Sequence, residues 1–159
     1  MYWITGLSGA GKSTIGKALT KKLKTRHNNV IFMDGDILRE VFGQESGHST
    51  GERLRLSRSY SRLCRMLVDQ GLIVVFATIS MFHEIQKWNR QHISNYMEIY
   101  LKTPMEILIG RDKNQLYRRA LSGEIKNVVG VDIQIEEPID PDITIQNNII
   151  PNYCGNAIH

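Results

Sequence analysis

The chain has 159 residues, 42% of them hydrophobic, and a formal net charge of +4, enough for one domain with its own core. No run is apolar and long enough to span a membrane, and the first strand starts so early that no signal peptide is expected. Cys64 and Cys154 show no metal-ligand spacing, and Cys64 falls in a helical pattern as a buried thiol, so a reducing cytoplasm is the expected location.

Tyr2 to Thr5 reads as a short strand, and Ile15, Ala18, Leu19 and Leu23 repeat at helical spacing after it. Val30 to Met33 reads as a second strand, ending at Asp34-Gly35-Asp36, with a short helical pattern through Ile37, Leu38 and Val41. A Gly- and Ser-rich loop (43–51) leads to a helix over about 52–70, closed by Gly71. Leu72 to Ile79 is almost continuously apolar, as a central parallel strand covered on both faces must be. Residues 84–93 read as a helix and Tyr96 to Leu101 as a fourth strand. Thr103 is placed to cap a helix whose first turn carries Pro104 and Glu106. The stretch 112–130 is polar, basic and glycine-containing, Ile143 to Ile145 alternates like a last strand, and 147–159 shows no helical period. This order predicts one domain over 1–159: a three-layer α/β/α fold of the P-loop NTPase type, with a parallel sheet. Ligands then belong at the carboxyl ends of the strands.

Between the first strand and helix, residues 6–13 read Gly-Leu-Ser-Gly-Ala-Gly-Lys-Ser, a complete GxxxxGK[ST] phosphate-binding loop. Gly6, Gly9 and Gly11 let the backbone turn its N–H groups around phosphate oxygens. Lys12 brings a point charge to the β/γ-phosphates, the Ser13 hydroxyl suits Mg²⁺, and the helix adds its positive N-terminal dipole. The positive excess gathers in Arg53, Arg55, Arg58, Arg62 and Arg65, and in Arg111, Lys113, Arg118 and Arg119. No nucleic-acid motif accompanies it, so the charge suits an enzyme whose substrates are polyanions, and no nucleic-acid or membrane partner is expected.

The chain lacks the guanine-reading Asn/Thr-Lys-x-Asp of regulatory GTPases. Its third strand ends in Ala77-Thr78-Ile79-Ser80, without the acid that motor-type ATPases carry there. The acidic pair Asp34 and Asp36 follows the second strand instead, as suits a small-molecule kinase: one carboxylate near the attacking hydroxyl, the other near the metal shell. Spacing does not say which does which.

Over roughly residues 2–146 the chain resembles the adenylylsulfate (APS) kinase family. The resemblance rests on Gly-Leu-Ser-Gly-Ala-Gly-Lys-Ser-Thr at 6–14, Asp-Gly-Asp-x-x-Arg at 34–39 and Asp-x-Gly-Leu-Ile at 69–73. To these are added Arg111-Asp112, Leu116 to Ala120, Gly123-Glu124-Ile125-Lys126-Asn127 and Gly130-Val131-Asp132. It implies transfer of the ATP γ-phosphoryl group to the ribose 3′-hydroxyl of a nucleotide-activated small anion, with Mg²⁺. By the same resemblance, Gly6, Leu7, Ser8, Gly9, Ala10, Gly11, Lys12, Ser13 and Thr14 hold ATP, and Arg111 lies near its adenine. Arg39, Arg53 and Lys126 contact the acceptor nucleotide, together with Asp36, Ile79 and Ser80. Residues 112–122 match a mobile lid, and a homodimer is a family expectation.

The departures from the family collect on the acceptor side. The family stacks the APS adenine between two phenylalanines, where this chain has His48 and Val128; its Asn after the Arg53 equivalent falls at Leu56; its "SPYR" becomes Ser80-Met81-Phe82-His83. Stacking is worth about 1–3 kcal/mol per base, so losing two walls points to a different ligand. The best candidate is cytidine diphosphoramidate, used in capsule phosphoramidate pathways and phosphorylated by a kinase of the same family. The alternatives are a true APS kinase with an aromatic such as Phe82 in compensation, and a nucleotide-binding regulator without transfer activity. Lys12, Asp34 and Asp36 all being present argues against the last.

Overall fold

A computed structural model describes residues 1–42, 49–112 and 114–148. The strands are β1 (Tyr2–Thr5), β2 (Val30–Asp34), β3 (Ile73–Ala77), β4 (Met97–Lys102) and β5 (Ile143–Gln146). The helices are α1 (Lys12–Leu23), α2 (Gly35–Val41), α3 (Thr50–Asp69), α4 (His83–His92), α5 (Met105–Arg111) and α6 (Leu116–Leu121). The five strands form a parallel sheet in the order β2-β3-β1-β4-β5.

Side-chain alternation along the strands divides the core in two. Trp3, Val74 and Phe76 point to one face and pack with Tyr60 and Cys64 of α3 and Ile85 of α4. Ile4, Val75 and Ile99 point to the other, toward Leu108 of α5, with Ile15 and Leu19 of α1. The central strands are therefore buried on both faces, the physical origin of the continuous apolar run that marks β3. Cys64 is buried with a free thiol, as expected; Cys154 lies outside the described residues.

β1 lies between β3 and β4, and because every strand pair is parallel the loops after β1, β2 and β3 open at the same end of the sheet. Helix ends explain the boundaries. α3 starts two residues before its expected limit because Ser49 and Glu52 form a reciprocal capping box. It stops where expected: Gly71, at φ +85°, lets its N–H and that of Leu72 bond the Val68 and Leu67 carbonyls at 2.8 and 3.1 Å. One cap is corrected. Thr103 does not cap α5; Pro104 is the N-cap residue, and the Thr103 hydroxyl is buried without a hydrogen-bond partner. The stretch 112–130 also holds a helix, α6, which its polarity concealed. Of the irregular segment foreseen at 147–159, residues 149–159 lie outside the described residues.

Candidate active site

β1 runs into the phosphate loop. Gly6 has φ +148°, and a Cβ there would lie 2.6 Å from the Leu101 carbonyl oxygen, so only glycine fits. Gly11, at φ +96°, is the N-cap of α1 and supplies no side-chain cap, which leaves the first N–H groups of the helix open toward a ligand. Leu7 and Ala10 turn their side chains into the core, while Ser8, Gly9, Gly11, Lys12, Ser13 and Thr14 line a cavity of about 560 Å³.

Lys12 donates from Nζ to the Leu7 carbonyl at 2.8 Å. Burial pushes its pKa down to about 8, partly offset by the charges of Asp36 and Asp34. The Ser13 hydroxyl donates to Asp34 Oδ2 at 2.5 Å, and Asp34 Oδ1 accepts from the backbone N–H of Asp36 at 3.0 Å as N-cap of α2. Both Asp34 oxygens are thus committed. Asp36 lines the same cavity, and its side chain has no hydrogen bond to any other described residue. The Tyr60 hydroxyl, donating to the Gly35 carbonyl at 3.0 Å, holds the intervening peptide.

Ser13 and Asp34 form a pair of hard oxygen donors, which suits Mg²⁺. Among the described residues no cluster of three or more His, Cys, Asp or Glu could cage a metal.

Beyond the carboxylates the cavity is lined by Arg39, Arg53, Ile79, Ser80 and Val128, five of the residues expected on the acceptor side. Arg53 donates from Nη2 to the Asn127 carbonyl at 2.9 Å. Burial, then the like charge of Arg39, lowers its pKa from the ordinary arginine value. The turn carrying Val128 is fixed by Asp132, whose carboxylate accepts from the N–H groups of Asn127 and Val128, each at 2.6 Å. Those bonds hold the Asp132 carboxyl below the usual carboxylate range. Asn127 sits at φ +64° within that turn.

Two expected residues stand apart from the cavity. Lys126 is exposed and does not line it. Arg111 lies on the outer side of the phosphate loop, with Nη1 3.4 Å from the Gly9 carbonyl. His48 lies outside the described residues.

Sequence reasoning missed Ser57 and Tyr60, which line the cavity together with Leu56, the acceptor-side position where the family has Asn. The signal was available. Positions 53, 56, 57 and 60 share one face of a helix, so placing Arg53 in the site brings the others with it. The hydroxyls of Ser57, Ser80 and Thr78 form a buried chain at 2.9 and 2.8 Å along the cavity floor. Phe82, Ile133 and Gln134 also line the cavity. The whole arrangement, an N–H-lined loop with one lysine, two carboxylates and two arginines across a gap, can transfer a phosphoryl group between two anions.

Residues 1–146 match the family model for adenylylsulphate kinase. The chain is 46% identical over 148 residues to a cytidine diphosphoramidate kinase of Campylobacter jejuni, covering 93% of this chain and 86% of that protein. It is 39% identical over 147 residues to an adenylyl-sulfate kinase of Pseudomonas aeruginosa, covering 91% and 75% of the two. Among solved structures, the Mycobacterium tuberculosis APS kinase CysC in complex with AMPPNP and APS superposes with a TM-score of 0.82 at 30% identity, over 91% of this chain and 86% of that one. The expected fold and the resemblance both hold: the chain is a phosphotransferase with a P-loop NTPase fold, and it belongs to the adenylylsulphate kinase family.

Proposed function

We propose that the chain transfers the γ-phosphoryl group of ATP to the ribose 3′-hydroxyl of cytidine diphosphoramidate. The observation that carries the acceptor assignment is Val128. It lines the acceptor end of the cavity on a turn fixed by Asp132, at the position where the family places a stacking phenylalanine. An aliphatic wall suits a small pyrimidine better than a purine that needs two ring faces. The 46% identity to a cytidine diphosphoramidate kinase supports the same reading.

In this reading the phosphate loop, residues 6–14, cradles the donor phosphates, and Lys12 balances charge on the group in transfer. Ser13 and Asp34 would hold Mg²⁺, which supplies charge neutralisation on the β- and γ-phosphates when bound. Asp34 is occupied by Ser13 and by the cap of α2, which leaves Asp36 to accept the proton of the acceptor hydroxyl. Arg39 and Arg53 bind the acceptor's phosphates, Ile79 and Ser80 border its sugar, and Val128 faces its base. Arg111 flanks the ATP adenine, while Lys126 reaches the acceptor only if its turn moves inward.

A second reading, APS as acceptor, draws support from Phe82, an aromatic that lines the cavity and offers a purine one face. A homodimer and a cytoplasmic location belong to the proposal as family expectations; sedimentation tests the first. No described helix is long and apolar enough to cross a membrane. The proposal is tested by incubating the chain with Mg·ATP and cytidine diphosphoramidate and following ³¹P resonances. A new ribose 3′-phosphate monoester is expected; ADP release without one would overturn it.

A further inference from the structure

The carbonyls of the phosphate loop are tied from outside by side chains of three separate segments. Tyr117 of α6 donates its hydroxyl to the Ser8 carbonyl at 2.8 Å. Asn147, directly after β5, donates Nδ2 to the Ala10 carbonyl at 2.8 Å. Arg111, at the end of α5, lies 3.4 Å from the Gly9 carbonyl and donates Nη2 to both the side-chain and backbone oxygens of Asn147 at 3.2 Å. These ties are themselves anchored. The Asn147 N–H donates to the Lys102 carbonyl at 3.0 Å. Tyr117 is buried, and the N–H groups of Leu116 and Tyr117 donate to the Asp112 carboxylate at 2.9 and 2.7 Å.

The consequence follows from peptide geometry. A trans peptide sets its N–H opposite its C=O, and the described chain has no cis bond. Holding the Ser8 and Ala10 carbonyls outward therefore turns the N–H groups of Gly9 and Gly11 the other way, and both glycines line the cavity. The Ala10 N–H between them is already spent on the Leu7 carbonyl at 3.2 Å. Glycine peptides rotate easily, so an outside constraint decides which way these two face.

We propose that Asn147 and Tyr117 are positioning residues for the donor phosphates: they hold the Gly9 and Gly11 peptides with their N–H groups aimed at the anion. Neither side chain touches the reacting atoms. The proposal rests on the reading that this loop holds the phosphates of ATP.

The test uses the full chain and two probes, ATP and inorganic tripolyphosphate, titrated by calorimetry, alongside steady-state kinetics and thermal unfolding. Tyr117→Phe removes one hydroxyl and keeps the buried ring; Asn147→Ala removes the other tie. Each variant is expected to weaken both probes by the same factor, about fivefold for one net hydrogen bond. The KM for ATP should rise in step, while the acceptor KM stays put and the unfolding temperature of Tyr117→Phe falls by no more than the few degrees that one hydrogen bond accounts for. Weaker ATP binding with unchanged tripolyphosphate binding would place the effect on the nucleoside and overturn the proposal. A parallel rise in both KM values with lost stability would reduce these residues to structural supports and also overturn it. Variants that bind both probes like the unmodified chain would sink it while leaving the loop reading intact; an unmodified chain that binds neither would remove that reading itself.

Discussion

The Ser13 hydroxyl and Asp34 Oδ2, 2.5 Å apart, join the start of α1 to the end of β2 and so fix the phosphate loop relative to the acidic pair. The same aspartate caps α2 through Asp36 N–H, so one carboxylate sets the geometry of three segments. Replacing Ser13 by Ala leaves Asp34 with only the cap and deletes one oxygen donor for Mg²⁺. The Mg²⁺ concentration at half-maximal rate is expected to rise about tenfold, measured by titrating Mg²⁺ at fixed ATP. An unchanged Mg²⁺ dependence would reject the pair as a metal site.

The two carboxylates should part company under amide substitution. Asp36→Asn is expected to lower kcat by about 10²–10⁴ with little change in KM for ATP, the signature of a lost general base. Asp34→Asn should instead raise the Mg²⁺ requirement. Steady-state kinetics at saturating and limiting Mg²⁺ separates them, and the reverse pattern would exchange their roles.

Lys12 gives a pH prediction. Its pKa, pushed down to about 8 by burial, leaves it cationic below that pH and neutral above. Because the cation is the form that attracts phosphate, kcat/KM for ATP should stay level up to about pH 7, halve by about pH 8 and approach a tenfold fall per pH unit above about 9. Lys12→Ala should abolish that bend along with most of the activity. A flat profile up to pH 9.5 would show that the lysine is not the group being titrated.

Most of the fold was legible because its elements announce themselves locally. The glycines of residues 6–11, the apolar run of β3 and the Gly71 stop each follow from a short-range rule. The acceptor side was less legible. Ser57 and Tyr60 reach the cavity through helix phase, a signal that becomes readable only once Arg53 is placed in the site, whereas Gln134 arrives by tertiary packing and a lone glutamine carries no pattern. The same holds for Asn147, whose partners Ala10 and Arg111 are distant in sequence. Thr103 misled because a good capping residue stood one position before Pro104, and packing buried it instead.

Stability carries a second pH signature, at Glu98 on β4. Its carboxylate is buried, with Arg90 Nη2 at 3.5 Å, while Arg90 also holds Asp142 at 3.1 Å. Burial outweighs Arg90 and lifts the pKa from 4.5 to about 7. The folded state then binds more protons than the unfolded state between these values. The Glu98 contribution is fully present below pH 4.5 and is lost as pH rises through 7. Glu98→Gln should remove that slope, read from urea unfolding at pH 5 and 7.5. An identical slope in the variant would exclude Glu98 as its source.

Restoring aromatics should redirect the acceptor. Val128→Phe combined with His48→Phe is expected to raise kcat/KM for APS about tenfold relative to the cytidine acceptor, at about 1–3 kcal/mol per stacked base. His48 lies outside the described residues, so Val128→Phe alone is the structurally grounded half of the experiment. No gain in APS use by either variant would remove the pocket argument.

An acceptor pocket suited to cytidine should show itself as a preference between the two nucleotide acceptors. The most direct measurement of that preference is a competition: one reaction containing Mg·ATP and equal concentrations of APS and cytidine diphosphoramidate, with both 3′-phosphorylated products quantified. The ratio of products is the ratio of kcat/KM values. An excess of the cytidine product is the predicted result; efficient conversion of APS with no phosphorylated cytidine nucleotide would contradict it.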